Sequence, residues 1–88
     1  MSKNLYNAAE NRNANAQFKL ALSYHSGIGT ELNLEKAFYW YQKAAENGYN
    51  AAQYILSILY KEGKGTEKNL EKSFHWCQKA AKNGCIEA

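Results

Sequence analysis

ANAQFKLALSYHSGIGTELNLEKAFYWYQKAAENGY (14–49) is followed at once by NAAQYILSILYKEGKGTEKNLEKSFHWCQKAAKNGC (50–85). The two stretches align without a gap at a period of 36, with 20 identical positions and conservative pairs such as Phe18/Tyr54 and Leu22/Ile58. A period in the thirties with one helix pair per unit marks a helical solenoid, in which each unit buries its apolar face against the next. The flanks keep the register. Ala8-Ala9-Glu10-Asn11 matches Ala44-Ala45-Glu46-Asn47, so residues 3–12 read as the tail of an earlier unit's second helix. Ile86-Glu87-Ala88 aligns with Asn50-Ala51-Ala52, so residues 86–88 read as the start of a truncated third unit. The expectation is one repeat domain over 1–88, with repeat one at 14–49 and repeat two at 50–85.

Within each unit the pattern predicts helix A, a loop and helix B. Helix A is expected over about 15–26 and 51–62, where Ala16, Leu20 and Tyr24, and then Ala52, Leu56 and Tyr60, recur every four residues as one stripe. Gly27 and Gly63 stand where helices end, and Asn33 and Asn69 are good caps for the next helix, with Glu35 and Glu71 in its first turn. Helix B is expected over about 34–47 and 70–83, ended by Gly48 and Gly84 with Tyr49 and Cys85 just beyond. Leu34, Ala37, Phe38, Trp40, Tyr41, Ala44 and Ala45 form its buried face; Glu35, Lys36, Tyr39, Gln42, Lys43 and Glu46 form its polar one.

Composition agrees with helices. The 88 residues contain no proline, valine or aspartate, few isoleucines, thirteen alanines and ten asparagines, which is poor material for a sheet core. The fold class expected is all-α. No stretch approaches the roughly 18 apolar residues of a membrane span, and the N-terminus has no apolar signal-peptide core. The net charge of +3 is spread evenly between residues 1–44 and 45–88, and two cysteines do not make a disulfide scaffold. An intracellular, cytoplasmic protein is expected.

The run A-x-A-Q-x-x-L-x-x-x-Y-x-x-G-x-G-T followed by L-E-K-[AS]-F-x-W-x-Q-K-A-A-x-N-G, present twice, resembles the Sel-one-like repeat, a relative of the tetratricopeptide repeat. That resemblance implies an α-solenoid of antiparallel helix pairs in a right-handed superhelix, about two full repeats plus a partial N-terminal helix, acting as an adaptor or scaffold. Two departures stand out. Arg12 replaces the glycine found at 48 and 84, which points to a frayed or differently bent entry from the first helix. Asn13 and Asn15 interrupt the hydrophobic and small positions.

Catalytic and ligand-binding patterns are weak. Gly63-Lys64-Gly65-Thr66 lacks the spacing and preceding strand of a phosphate-binding loop, and repeat one has Ile28 where the lysine stands. His75 and Cys77, two apart on a helix, point in opposite directions and cannot chelate together; His25 belongs to another helix. Cys77 sits about 9 Å of helical rise from the helix end, too far for a relaxed bridge to Cys85. None of the serines is followed three places later by lysine, as an S-x-x-K nucleophile requires. No enzyme, cofactor or metal site is expected.

A second apolar face on helix A suggests a binding groove. By analogy with tetratricopeptide repeats, Asn15, Phe18, Leu22 and His25, with Ala51, Tyr54, Ile58 and Lys61, would line it and take a partner peptide or helix. The alternative is that these side chains pack only against neighbouring repeats, in a structural spacer or homo-oligomerisation segment. Leu22 and Ile58 argue against RNA, which needs polar and basic side chains there; neither nucleic acid nor membrane is an expected partner. Ala51, Ala52, Tyr54, Ile55, Leu56, Ile58, Leu59 and Tyr60 leave helix A of repeat two apolar on nearly every side, so burial on nearly every side is expected. Further repeats or a second copy would have to provide it, since about 2.4 repeats fall short of the three or so a solenoid usually needs.

Overall fold

Asparagine opens three of the helices and a left-handed residue closes those before them. A computed structural model describes residues 3–82, and among these it has five helices and no strand: α1 (Lys3–Glu10), α2 (Ala14–Ser26), α3 (Leu34–Glu46), α4 (Asn50–Glu62) and α5 (Leu70–Lys82). The Asn33 and Asn69 side-chain oxygens accept hydrogen bonds from the Lys36 and Lys72 amides, at 3.0 and 2.9 Å. Each loop closes in the same way: Asn33 N–H donates to the Tyr24 carbonyl, and Asn69 N–H to that of Tyr60.

The first helix does not fray at Arg12. Arg12 takes φ +67°, the left-handed conformation that Gly48 takes at φ +85°. The same two bonds close both ends: Arg12 N–H to Ala9 O and Asn13 N–H to Ala8 O, matched by Gly48 N–H to Ala45 O and Tyr49 N–H to Ala44 O. Asn13, far from disturbing the register, caps α2 by accepting from the Ala16 amide at 3.0 Å. Its counterpart Tyr49 makes no side-chain cap. The α1 helix therefore stops at Glu10 rather than residue 12, and α2 and α4 start one residue earlier than the periodicity suggests. The expected helix end at Gly84, the position of Cys85 and the start of a third unit at 86–88 lie outside the described residues.

Successive helices pack pairwise, α1 on α2, α2 on α3, α3 on α4 and α4 on α5. This makes a layered all-helical solenoid, 34 × 23 × 17 Å in extent. Leu20, Ala21, Tyr41, Ala44, Ala52 and Leu56 are fully enclosed. Within the described residues α4 is buried on part of its circumference. Ala52, Leu56, Leu59 and Tyr60 are buried, but Ala51, Tyr54, Ile55 and Ile58 are only half-buried. Gln53 and Ser57 are buried in their place.

Those buried polar groups are all satisfied. Gln17 Nε2 donates to the Ala9 carbonyl at 2.9 Å, and Gln53 Nε2 to the Ala45 carbonyl at 3.1 Å. Both carbonyls lie in the last turn of the preceding helix, where intrahelical partners run out. Asn47 Nδ2 in turn donates to Gln17 Oε1 at 2.9 Å. Ser57 Oγ donates to Tyr54 O. Among the described residues no buried side-chain nitrogen or oxygen lacks a partner.

Candidate partner-binding groove

Position 41 and its equivalent 77 decide what becomes of the expected groove. In repeat one helix α3 directs Tyr41 toward α2, where its ring meets Phe18 edge-on at 5.8 Å and His25 at 5.7 Å. The Tyr41 hydroxyl lies 2.9 Å from His25 Nδ1. Burial pushes the Tyr41 pKa up to about 12, so the phenol stays protonated well above neutral pH. Phe18 also stacks on Tyr49 at 4.7 Å, and Asn15 Nδ2 donates weakly to the Tyr49 hydroxyl at 3.4 Å. Phe18 and His25 are therefore committed to a packed aromatic cluster, at whose edge Asn15 stays exposed. Leu22, 41% exposed, is also open on this side of repeat one.

Repeat two has the same frame without the plug. Cys77 stands where Tyr41 would, Ser73 where Ala37 would, and Lys61 where His25 would. The result is a largely apolar cavity of about 350 Å³ between α4 and α5, lined by Tyr54, Ser57, Ile58, Lys61, Leu70, Ser73, Phe74 and Cys77. Of the predicted residues, Tyr54, Ile58 and Lys61 meet here and the repeat-one set does not join them. The sequence reading missed the α5 wall, Leu70, Phe74 and Cys77. Its signal was present in the exchange of a tyrosine for a cysteine at equivalent positions, which removes a ring's volume from one repeat only.

A second, polar cleft of about 280 Å³ runs along the C-terminal halves of α1 and α3, with Glu10, Arg12, Lys43 and Glu46 around Gln17 and Trp40. Its charges are mixed and its floor is the Gln17 tie described above. Among the described residues no three His, Cys, Asp or Glu side chains gather as metal ligands would. His75 is exposed beside Trp76, and Cys77 lines the α4–α5 cavity. The weighed Cys77–Cys85 bridge involves a residue outside the described range.

The Sel1 repeat profile matches residues 14–49 and 50–85. The chain belongs to the Sel1 repeat family. Three solved structures share the fold. A Sel1 repeat protein from Oxalobacter formigenes superposes with a TM-score of 0.83 at 37% identity, covering 92% of this chain and 61% of that one. A protective antigen of uropathogenic Escherichia coli, described as displaying an SLR fold, gives 0.86 at 35% identity, covering 93% of this chain and 18% of its own. Helicobacter pylori cysteine rich protein B gives 0.87 at 29% identity, covering 91% and 60%. This chain thus spans about three-fifths of the length of two of these relatives and under a fifth of the third. No curated protein matches the sequence significantly. Sel1 repeat proteins are in general protein–protein interaction modules, typically without catalysis. No helix among the described residues is long and apolar enough to cross a membrane.

Proposed function

We propose that this Sel1 chain is an adaptor that binds a partner peptide or helix along its A helices and performs no chemistry of its own. The observation that supports this reading is the open apolar cavity in repeat two, where Tyr54, Ile58 and Lys61 of α4 face Leu70, Phe74 and Cys77 of α5. Preformed, largely apolar concavities with one charged group at the rim suit recognition of a peptide side chain or helix face. Repeat one contributes Leu22 at its edge and support from the Phe18–Tyr41–Tyr49 cluster. The test is affinity capture from a lysate by the immobilised chain and by its Ile58→Glu variant, with circular dichroism showing equal helicity. Proteins held by the first and lost by the second support the adaptor reading; identical capture by both overturns it.

A second reading is homo-oligomerisation. It is favoured by Leu70 and Phe74, 60% and 64% exposed on α5 among the described residues. Light scattering over a range of concentrations separates the two, since a mass that stays monomeric removes it.

A further inference from the structure

The seat of α4 on α3 is a template for what the outer face of α5 can hold. Three contacts define that seat. Phe38 meets the Tyr60 ring edge-on at 5.3 Å. Gly65 lies directly on the Leu34 carbonyl, so close that a Cβ there would run into it. The Ala45 carbonyl accepts the Gln53 amide. Helix α5 repeats the same face with Leu70, Phe74 and Ala81 in place of Leu34, Phe38 and Ala45, and all three are exposed among the described residues. The cavity beside Phe74 continues this face onto α4.

Charge distinguishes the copy from its template. Divided by repeat rather than by halves, residues 14–49 hold three lysines and three glutamates, while 50–85 hold six lysines and three glutamates. The excess reaches this part of the surface: Lys61, in place of His25, lines the cavity with Leu70 and Phe74, and Lys82, in place of Glu46, shares a hollow with Ala81 at the far end of α5. A helix seated as α4 is seated on α3 would meet a cation at each end.

We propose that the α4–α5 face binds an amphipathic helix of a partner protein whose apolar stripe ends in an aromatic residue and whose rim is acidic. The apolar stripe follows from the α3–α4 seat, and the acidic rim from Lys61 and Lys82. The proposal rests on the adaptor reading and names the chemistry of its partner. Opposite charges at such a rim govern encounter and partner choice more than the depth of binding, and they are screened by salt.

Two synthetic peptides probe the face by fluorescence anisotropy against the whole chain: residues 50–66 of this sequence, and the same peptide carrying Lys61→Glu and Lys64→Glu. At low salt the acidic peptide is expected to bind about three- to tenfold more tightly, the size typical of one or two rim charges. That preference should shrink with added salt and reverse when the receptor carries Lys61→Glu. Phe74→Glu in the receptor, or Leu70→Gln, should abolish binding of both peptides with helicity intact, because both side chains are largely exposed. Equal binding of the two peptides at low salt overturns the acidic partner while leaving helix docking standing. Binding of neither overturns the site, and the adaptor reading then stands or falls on the Ile58→Glu capture. Self-association of the peptide-free chain that Phe74→Glu abolishes would assign the face to a second copy and overturn the proposal.

Discussion

A methyl group has no room at Gly65, and the same residue type at the equivalent place in repeat one shows what that room is for. Gly29 and Gly65 share a left-handed backbone, φ +82° and +76°, but a Cβ on Gly29 would meet nothing within 4 Å. A Cβ on Gly65 would strike the Leu34 carbonyl and come within 3.0 Å of Phe38 Cβ. Gly29→Ala should therefore cost only the left-handed penalty of about 1–2 kcal/mol. Gly65→Ala should cost about 1–3 kcal/mol more from overpacking at the seam between the repeats. Urea unfolding of the two variants checks the difference, and equal midpoints would contradict it. Arg12 carries the same backbone penalty without a glycine's freedom, so Arg12→Gly should raise stability by about 0.5–1 kcal/mol, read as a higher melting temperature. Tyr41 sets an alkaline limit. Its folded pKa of about 12 lies above the ordinary tyrosine value of 10.0, so the folded state holds this proton more tightly than the unfolded one. The stability this represents is complete below pH 10 and is lost as pH rises toward 12. Tyr41→Phe should flatten that alkaline loss in thermal melts, while lowering stability near neutrality by the bond to His25.

At the scale of elements, each helix A is held to the helix before it by a buried glutamine. Gln17 reaches back eight residues to the Ala9 carbonyl, and Gln53 eight residues to that of Ala45. Gln17→Leu would leave the Ala9 carbonyl and the Asn47 amide without this partner, at a cost of about 1–3 kcal/mol. Amide exchange in α1 should accelerate first, because α1 contacts the rest of the chain chiefly through α2. The helices themselves were legible because their signals are local: Asn33 caps the amide three residues on, and Gly27 ends the turn it belongs to. Asn13 read as an interruption because its cap depends on the start of α2, which the repeat-two counterpart Tyr49 does not mark. The glutamines were legible as repeating residues but not as buried ones, since their partners are backbone carbonyls that carry no sequence signal. The groove was half legible. Helical periodicity put Phe18 and Tyr54 on one face, but whether that face is filled depends on a ring at 41 and its absence at 77, on a different helix.

For the whole molecule, packing among the described residues runs chiefly between helices adjacent in sequence, with Tyr6 of α1 also meeting Trp40 of α3 edge-on at 6.1 Å, so stability should be distributed largely as in a one-dimensional stack. The enclosed residues Leu20, Tyr41 and Leu56 belong to α2, α3 and α4, whereas α5 places only Ala80 among the buried residues. Backbone opening should therefore be graded along the chain rather than uniform, with amides of α2 to α4 exchanging at least about tenfold more slowly than those of α1 and α5. The seam between repeats can be weakened by one substitution: Phe38→Ala removes the ring that meets Tyr60 while keeping the Cβ that lies against Gly65. If the stack behaves as a line of nearest neighbours, hydrogen exchange in this variant should rise in α4 and α5 and change much less in α1 and α2. An equal rise in all five helices would instead mean that the two repeats fold as one cooperative block. The proposed partner-binding face would then inherit its rigidity from the whole chain, because α4 and α5 could not loosen without α1 to α3 loosening too.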